Sequence, residues 1–167
     1  MTIGKYVGLA ALIGFAALSG AEMSVSAQDA KQTTVQASKR IDPEAKSHRL
    51  VLQVNTNDPA TMNLALNNAQ NVAQYYKDLG EKVEIEIVTF GPGLNMLRDD
   101  TSPVKSRIKG IAANTPGIAF KACANTQENM AKAENKDIAL IPEVSMVKSG
   151  VVRVMELQEQ GWTYVRP

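Results

Sequence analysis

The chain has 167 residues, with 18 Lys and Arg against 17 Asp and Glu, for a net charge of +1 with its single histidine neutral. That length supports one ordinary domain with its own core. The charge balance offers no basic stripe for nucleic acid and no acidic tail for a cationic partner.

The N-terminus reads as a targeting segment. Lys5 precedes a run of small and aliphatic residues from Tyr6 to Leu18, and Val25, Ser26 and Ala27 supply small residues for cleavage. The run is too short for a bilayer span and fits a secretory signal, so cleavage near Ala27, export to the periplasm and no remaining membrane span are expected. An uncleaved anchor is the alternative. Residues 28–47 are polar and aperiodic, with Gln28, Gln32, Thr33, Thr34, Gln36 and Ser38, as in a flexible arm. The folded domain is expected over 48–167.

Arg49 to Asn55 is a predicted strand. Asp58 and Pro59 then give an N-cap and a proline at the first helical position. Met62, Leu66, Ala69, Ala73 and Tyr76 form one buried face of a helix to Leu79, stopped by Gly80. Lys82 to Phe90 is a second strand, ended by Gly91, Pro92 and Gly93, with a short helical turn over Leu94 to Leu97. A helix is predicted from Ser102 and Pro103 to about Ala113, and a strand over Ile118 to Ala122. Asn125 and Glu128 have the spacing of a capping box for a helix reaching about Lys136. Ile138 to Ile141 is the predicted fourth strand, with Val144 to Val147 extending or bending it. Ser149 caps a last helix, Val151 to Gln160, which Gly161 stops, and Trp162 to Val165 closes the chain as a strand.

Strands alternating with helices give an α/β fold: a three-layer sandwich on a mostly parallel sheet of about five strands. Ligands bind such sheets beyond the carboxyl ends of the strands. Three loops should therefore converge there: Asn55 to Asp58, Gly91 to Leu94, and Cys123 to Asn125.

Cys123 is the only cysteine, so no internal disulfide forms. Its place before a helix N-terminus favours the thiolate, which is the nucleophilic form. Ala122 and Ala124 are small and should leave it accessible, while Lys121 is expected on the other strand face. The competing reading is an inert core cysteine. Gly91 to Gly93 is a tight turn whose N–H groups could face an anion, or simply a strand-to-helix turn. His48 is expected at the surface on the opposite edge from Cys123, so neither a Cys-His pair nor a zinc site forms in one subunit. Asp99 and Asp100 read as solvated. Asn55 and Asp58 lie at a strand's carboxyl end, but capping already accounts for Asp58. Asn63, Asn67, Asn71 and Gln74, beside Asn68 and Gln70, make an amide stripe on the first helix. Uncharged amides are cheaper to desolvate than charges when they pair, so the stripe is expected either to meet another subunit or to remain a wet face.

Leu50 to Asn71, the turn Thr89 to Leu94, the segment Ala122 to Thr126 and the ending Gly150 to Pro167 together resemble the DsrE/DsrF-like family, in its exported branch. The resemblance covers nearly all of the chain after His48. It implies a five-stranded parallel α/β/α sandwich assembled as a homo-oligomer, a trimer or hexamer. It also implies a persulfide-bearing cysteine after the third strand, where Cys123 falls. Gly91, Gly93, Asn125 and Thr126 would line its surroundings. The known relay members work in the cytoplasm, so an exported member would need a different sulfur donor and acceptor protein.

The leading expectation is a periplasmic sulfur carrier with no cofactor and no metal, loading Cys123 as a persulfide. Asn55, Gly91, Gly93, Leu94, Asn125 and Thr126 would hold the small anion or incoming thiol. The alternative is a small-ligand or anion-binding, structural oligomer with an inert Cys123. A sulfurtransferase acting through Cys123 is a third reading, which the absence of a second cysteine and a nearby histidine weakens.

Overall fold

A computed structural model describes residues 47–167. The expected signal peptide and all of the arm but Ser47 lie outside the described residues. The order is β1 (Ser47–Val54), α1 (Pro59–Asp78), β2 (Lys82–Thr89), a 3₁₀ segment (Gly91–Leu97), α2 (Lys105–Asn114), β3 (Ile118–Cys123), α3 (Ala124–Glu134), β4 (Val144–Val147), α4 (Gly150–Glu159) and β5 (Thr163–Val165).

The five strands form one parallel sheet in the order β4-β3-β2-β1-β5. The first three crossovers each step one place in the same direction, so right-handed connections put α1, α2 and α3 on one face. The return from β4 to β5 runs the other way and puts α4 on the opposite face. The packing agrees. Leu52, Ile87 and Phe120 meet α1 and α2 residues in the main core, whereas Val51 and Val88 meet Val154 and Leu157 of α4. The expected three-layer α/β/α sandwich is present, with both sheet faces covered and central strands accordingly aliphatic. Among the described residues no helix is long and apolar enough to cross a membrane.

The α1 termini follow the sequence reading. Asp58 accepts from the N–H groups of Ala60 (3.2 Å) and Thr61 (2.9 Å), and Gly80 takes a left-handed φ of 70° after the helix. The fourth strand does not. It is Val144–Val147, and Ile138 to Ile141 is a connection that makes one antiparallel bridge, Leu140 with Arg98. Ile138 and Ile141 are buried as anchors of that connection, which explains their apolar character without strand pairing. Helix α3 stops at Glu134, because Asn135 adopts the left-handed conformation.

Two further expectations change, those for His48 and Asp100. His48 is half-buried: its ring stacks on Tyr76 at 3.7 Å, and its Nε2 lies 2.6 Å from Glu81 Oε2. Part of the amide stripe is engaged within the chain, since Arg107 of α2 donates to Asn63 Oδ1 (2.5 Å), Asn67 Oδ1 (2.8 Å) and Gln70 Oε1 (3.1 Å), while Asn67, Gln70, Asn71 and Gln74 remain exposed. Asp100 is not merely solvated. Arg98, only 5% exposed, grips it through Nε (2.9 Å) and Nη2 (2.8 Å) and also binds Glu134, while Lys136 Nζ reaches Asp100 at 2.9 Å. This network ties the end of the 3₁₀ segment to the end of α3.

Hydrogen bonds from Arg98, then from Lys136, hold Asp100 well below the usual carboxylate range, and Arg98 likewise lowers Glu134. Folded pKa values below the unfolded ones stabilise the fold above about pH 4, and this contribution is lost as pH falls toward the folded values. Asp100→Asn should therefore have a lower urea midpoint than the parent near neutrality, and the gap should close in acid. A gap independent of pH would rule out an electrostatic origin.

Candidate functional site at the carboxyl edge of the sheet

A parallel sheet brings all its carboxyl ends to one edge, and the three predicted loops meet there. The 3₁₀ segment is pressed onto the end of β1. Phe90 N–H donates to Val54 O at 3.3 Å, and Asn95 Nδ2 donates to Asn57 Oδ1 at 2.7 Å. Gly93 is buried directly against the Val54 carbonyl and Asn55 Cα, and Gly91 takes a φ of 52°. Gly93 thus serves a close backbone approach, and Gly91 a left-handed backbone conformation. Leu94 lies wholly within the main core, so its contribution to the edge is packing. Asn55 is half-buried at the end of β1.

Cys123 ends β3 and is itself the N-cap residue of α3, with extended backbone (φ −77°, ψ 116°). Asn125 and Thr126 are therefore the second and third helical residues. The expected capping box of Asn125 and Glu128 does not form, because the helix starts two residues earlier. An N-cap side chain normally receives the N–H groups of these two positions. Here no side-chain hydrogen bond caps the terminus, and the residue in the capping position carries sulfur, a weak acceptor.

Cys123 is 4% exposed. Its small neighbours do not leave it open, because β4 and the start of α4 lie over it. Val147 pairs with Cys123, and the Asn125 N–H also reaches Lys148 O at 3.3 Å. Burial pushes the Cys123 pKa up. The Thr126 hydroxyl and the N–H groups of Gly150, Thr126 and Asn125 outweigh burial and bring it below an ordinary thiol's. Thr126 Oγ1 accepts the Gly91 N–H at 3.0 Å, a bond that does not use its own proton. The glycine turn and the cysteine segment are thereby joined through one hydroxyl.

Lys121 shares the face of Cys123, contrary to expectation, since residues two apart on a strand point the same way. Its Nζ is engaged 2.8 Å from Ser145 Oγ on β4. The sequence reading missed Gly150, the donor from the opposite layer, and the ion pair of Glu86 and Arg153 beneath it. A signal was available: Glu86 is a carboxylate in the middle of a strand that should be apolar on both faces.

Two shallow clefts flank the cysteine segment. One runs between the 3₁₀ segment and α3, lined by Asn57, Gly91, Asn95, Thr126 and Asn129. The other lies before α4, lined by Asn125, Lys148, Ser149 and Arg153. An apolar groove elsewhere, between α1 and β5, is lined by Tyr75, Tyr76, Thr163 and Val165 and has no link to the thiol.

No family model matches the chain, and no curated protein matches it. Among solved structures it is similar to MTH1491 from Methanobacterium thermoautotrophicum, a protein of unknown function. The identity is 32% and the TM-score 0.60, covering 72% of this chain and 99% of that one. With that identity sustained over essentially the whole of the neighbour, the chain belongs to the same family as MTH1491.

Proposed function

We propose that the protein is an exported DsrE/DsrF-like sulfur carrier, active in the periplasm as a homo-oligomer, in which Cys123 takes up a sulfane sulfur and passes it to a partner protein. The observation that supports this is the set of donors at Cys123. An inert cysteine in apolar surroundings has a raised pKa, whereas here the hydroxyl and N–H groups overcome burial and favour the thiolate.

The chemistry needs no cofactor. The Cys123 thiolate attacks the outer sulfur of a donor persulfide. A new S–S bond forms on Cys123, the donor's S–S bond breaks, and the electron pair leaves with the donor sulfur as a thiolate. The sulfur is exchanged without net oxidation, and the reverse step delivers it to an acceptor thiol. The N–H groups of Asn125, Thr126 and Gly150 that favour the thiolate also favour the persulfide anion. Exposed Val151, Val152 and Met155 on α4 and Met146 on β4 give apolar surface near the site for assembly or for the partner.

A second reading is a structural oligomer that binds a small ligand or anion at the same edge, with Cys123 inert. Two observations favour it: the burial of the thiol, and Thr56 Oγ1, buried at this edge without a hydrogen-bond partner. Incubation with a low-molecular-weight persulfide, followed by intact mass measurement, separates the two. The carrier reading expects the native protein to gain one sulfur atom, reversible by thiol. Cys123→Ser should gain none while keeping its circular dichroism and melting temperature. Absence of uptake by folded parent protein would leave the binding reading.

A further inference from the structure

Glu86 sits in the middle of β2 and is 7% exposed, the one buried carboxylate among the described residues. Arg153, one turn into α4, meets it with a two-pronged guanidinium, Nε to Oε2 at 2.9 Å and Nη2 to Oε1 at 2.6 Å. Such a pair is a poor source of stability, because desolvating both charges offsets their attraction, and apolar replacements often hold as well. A bidentate fork does supply geometric definition, fixing both separation and rotation.

Helix α4 has little else to define its seat. On its side of the sheet the buried cluster is only Val51, Val88, Val154 and Leu157, with Phe90 and Trp162 at the margin. Apolar contacts of this kind tolerate sliding, and the fork does not. The Arg153 N–H donates to Ser149 O at 3.0 Å, so the residue that carries the guanidinium also closes the helix's first turn. That turn contains Gly150, whose backbone is pressed onto Phe90. A Cβ added there would lie 2.7 Å from Phe90 Cδ1 and 2.9 Å from its Cβ. The turn lies beside the thiol, since β4 delivers it from Val147, the strand partner of Cys123.

We propose that the Glu86–Arg153 pair is a positioning device for the thiol, setting the depth and rotation of α4 so that its first turn, which follows the strand partner of Cys123 and the Lys148 carbonyl bonded by Asn125, stays seated beside the sulfur. The inference rests on the reading of Cys123 as a working thiolate. The N-terminus of α3 begins at Cys123 and that of α4 three residues after its strand partner Val147, and a helix N-terminus favours the negative form. The α3 terminus is fixed covalently to Cys123. The α4 terminus has no covalent tie to it, and Glu86 with Arg153 provides the register.

The direction of the effect separates positioning from plain charge. The charged groups around the site are Lys121 on β3, Lys148 before α4, and Arg153 and Glu156 on α4. Removing the negative charge of Glu86 would, through relief of Coulomb repulsion alone, make the thiolate easier to form. Releasing the α4 turn would make it harder.

The test is a titration of thiolate ultraviolet absorbance in the full protein, with Cys123→Ser as the blank, so that burial of the thiol does not limit the reading. In Glu86→Gln the midpoint should rise enough to reduce the thiolate population at neutral pH about three- to tenfold, with the same final amplitude. If Glu86→Gln does not fold, the double variant Glu86→Leu/Arg153→Met carries the test. It removes both charges together, and a merely structural pair predicts an unchanged midpoint there. A depressed parent midpoint with an equal or lower midpoint in a folded variant overturns the positioning role and leaves the thiolate reading intact. A parent midpoint at an ordinary thiol's value of about 8.5 overturns both.

Discussion

Gly93→Ala should destabilise the domain by at least about 3 kcal/mol, beyond the usual range for overpacking. The added Cβ would lie 2.6 Å from the Val54 carbonyl carbon and 2.8 Å from Asn55 Cα, and closer still to the Val54 oxygen. All three are backbone atoms at the end of the interior strand β1, so no side chain can swing aside. Relief requires lifting the 3₁₀ segment off the sheet, which would pull Leu94, Met96 and Leu97 out of the core. Gly110 gives the internal contrast. It lies in α2 with nothing within 4 Å of an added Cβ, so Gly110→Ala should stabilise by about 0.5–1 kcal/mol through helix propensity and reduced unfolded-state entropy. Urea denaturation of the two variants checks both signs. A Gly93→Ala midpoint near the parent's would mean that the segment is not pinned to β1, and the proposed edge would lose its floor.

Much of the fold was legible because local and global signals agreed. Asp58 with Pro59, the apolar stripe from Met62, and Gly80 all mark one helix, and the structure builds it there. The convergence of three loops at one edge followed from parallel topology alone. The misreadings share a different cause. Ile138 to Ile141 is a short apolar run, and burial without pairing leaves the same trace as a strand; only the bridge to Arg98 and the pairing of Val144 to Val147 with β3 tell them apart. Asn125 carries a good capping side chain, yet the start of α3 was decided by where β3 ends, which placed sulfur in the capping position. The contribution of α4 to the site was not legible at all. Gly150 lies 27 residues beyond Cys123, and nothing local announces that its turn returns to the edge that holds the thiol. That juxtaposition exists only because the β4-to-β5 crossover starts over the same sheet edge.

The second large effect is expected at Thr126. Its hydroxyl accepts from Gly91 and is the strongest of the groups that lower the Cys123 pKa. Hydrogen bonds to charged groups contribute about 1.5 kcal/mol or more, so Thr126→Val should reduce the thiolate population at neutral pH about tenfold. Thr126→Ser, which keeps the hydroxyl, should restore most of it. Stability gives an independent readout with a definite sign. A thiol whose folded pKa lies below its unfolded one makes the protein more stable as pH rises from the folded value to the unfolded value, because there the unfolded chain still holds a proton that the folded one has released. Thr126→Val also orphans the Gly91 N–H, which costs some stability at every pH. The part belonging to the thiolate is the widening of the gap from the parent as pH rises through that interval, and it should vanish when both proteins carry Cys123→Ser. A gap that stays constant with pH would assign Thr126 to holding the glycine turn alone. The ionisation of Cys123 would then rest on the backbone donors of α3 and α4, and disturbing the seat of α4 would become the stronger lever on the thiol.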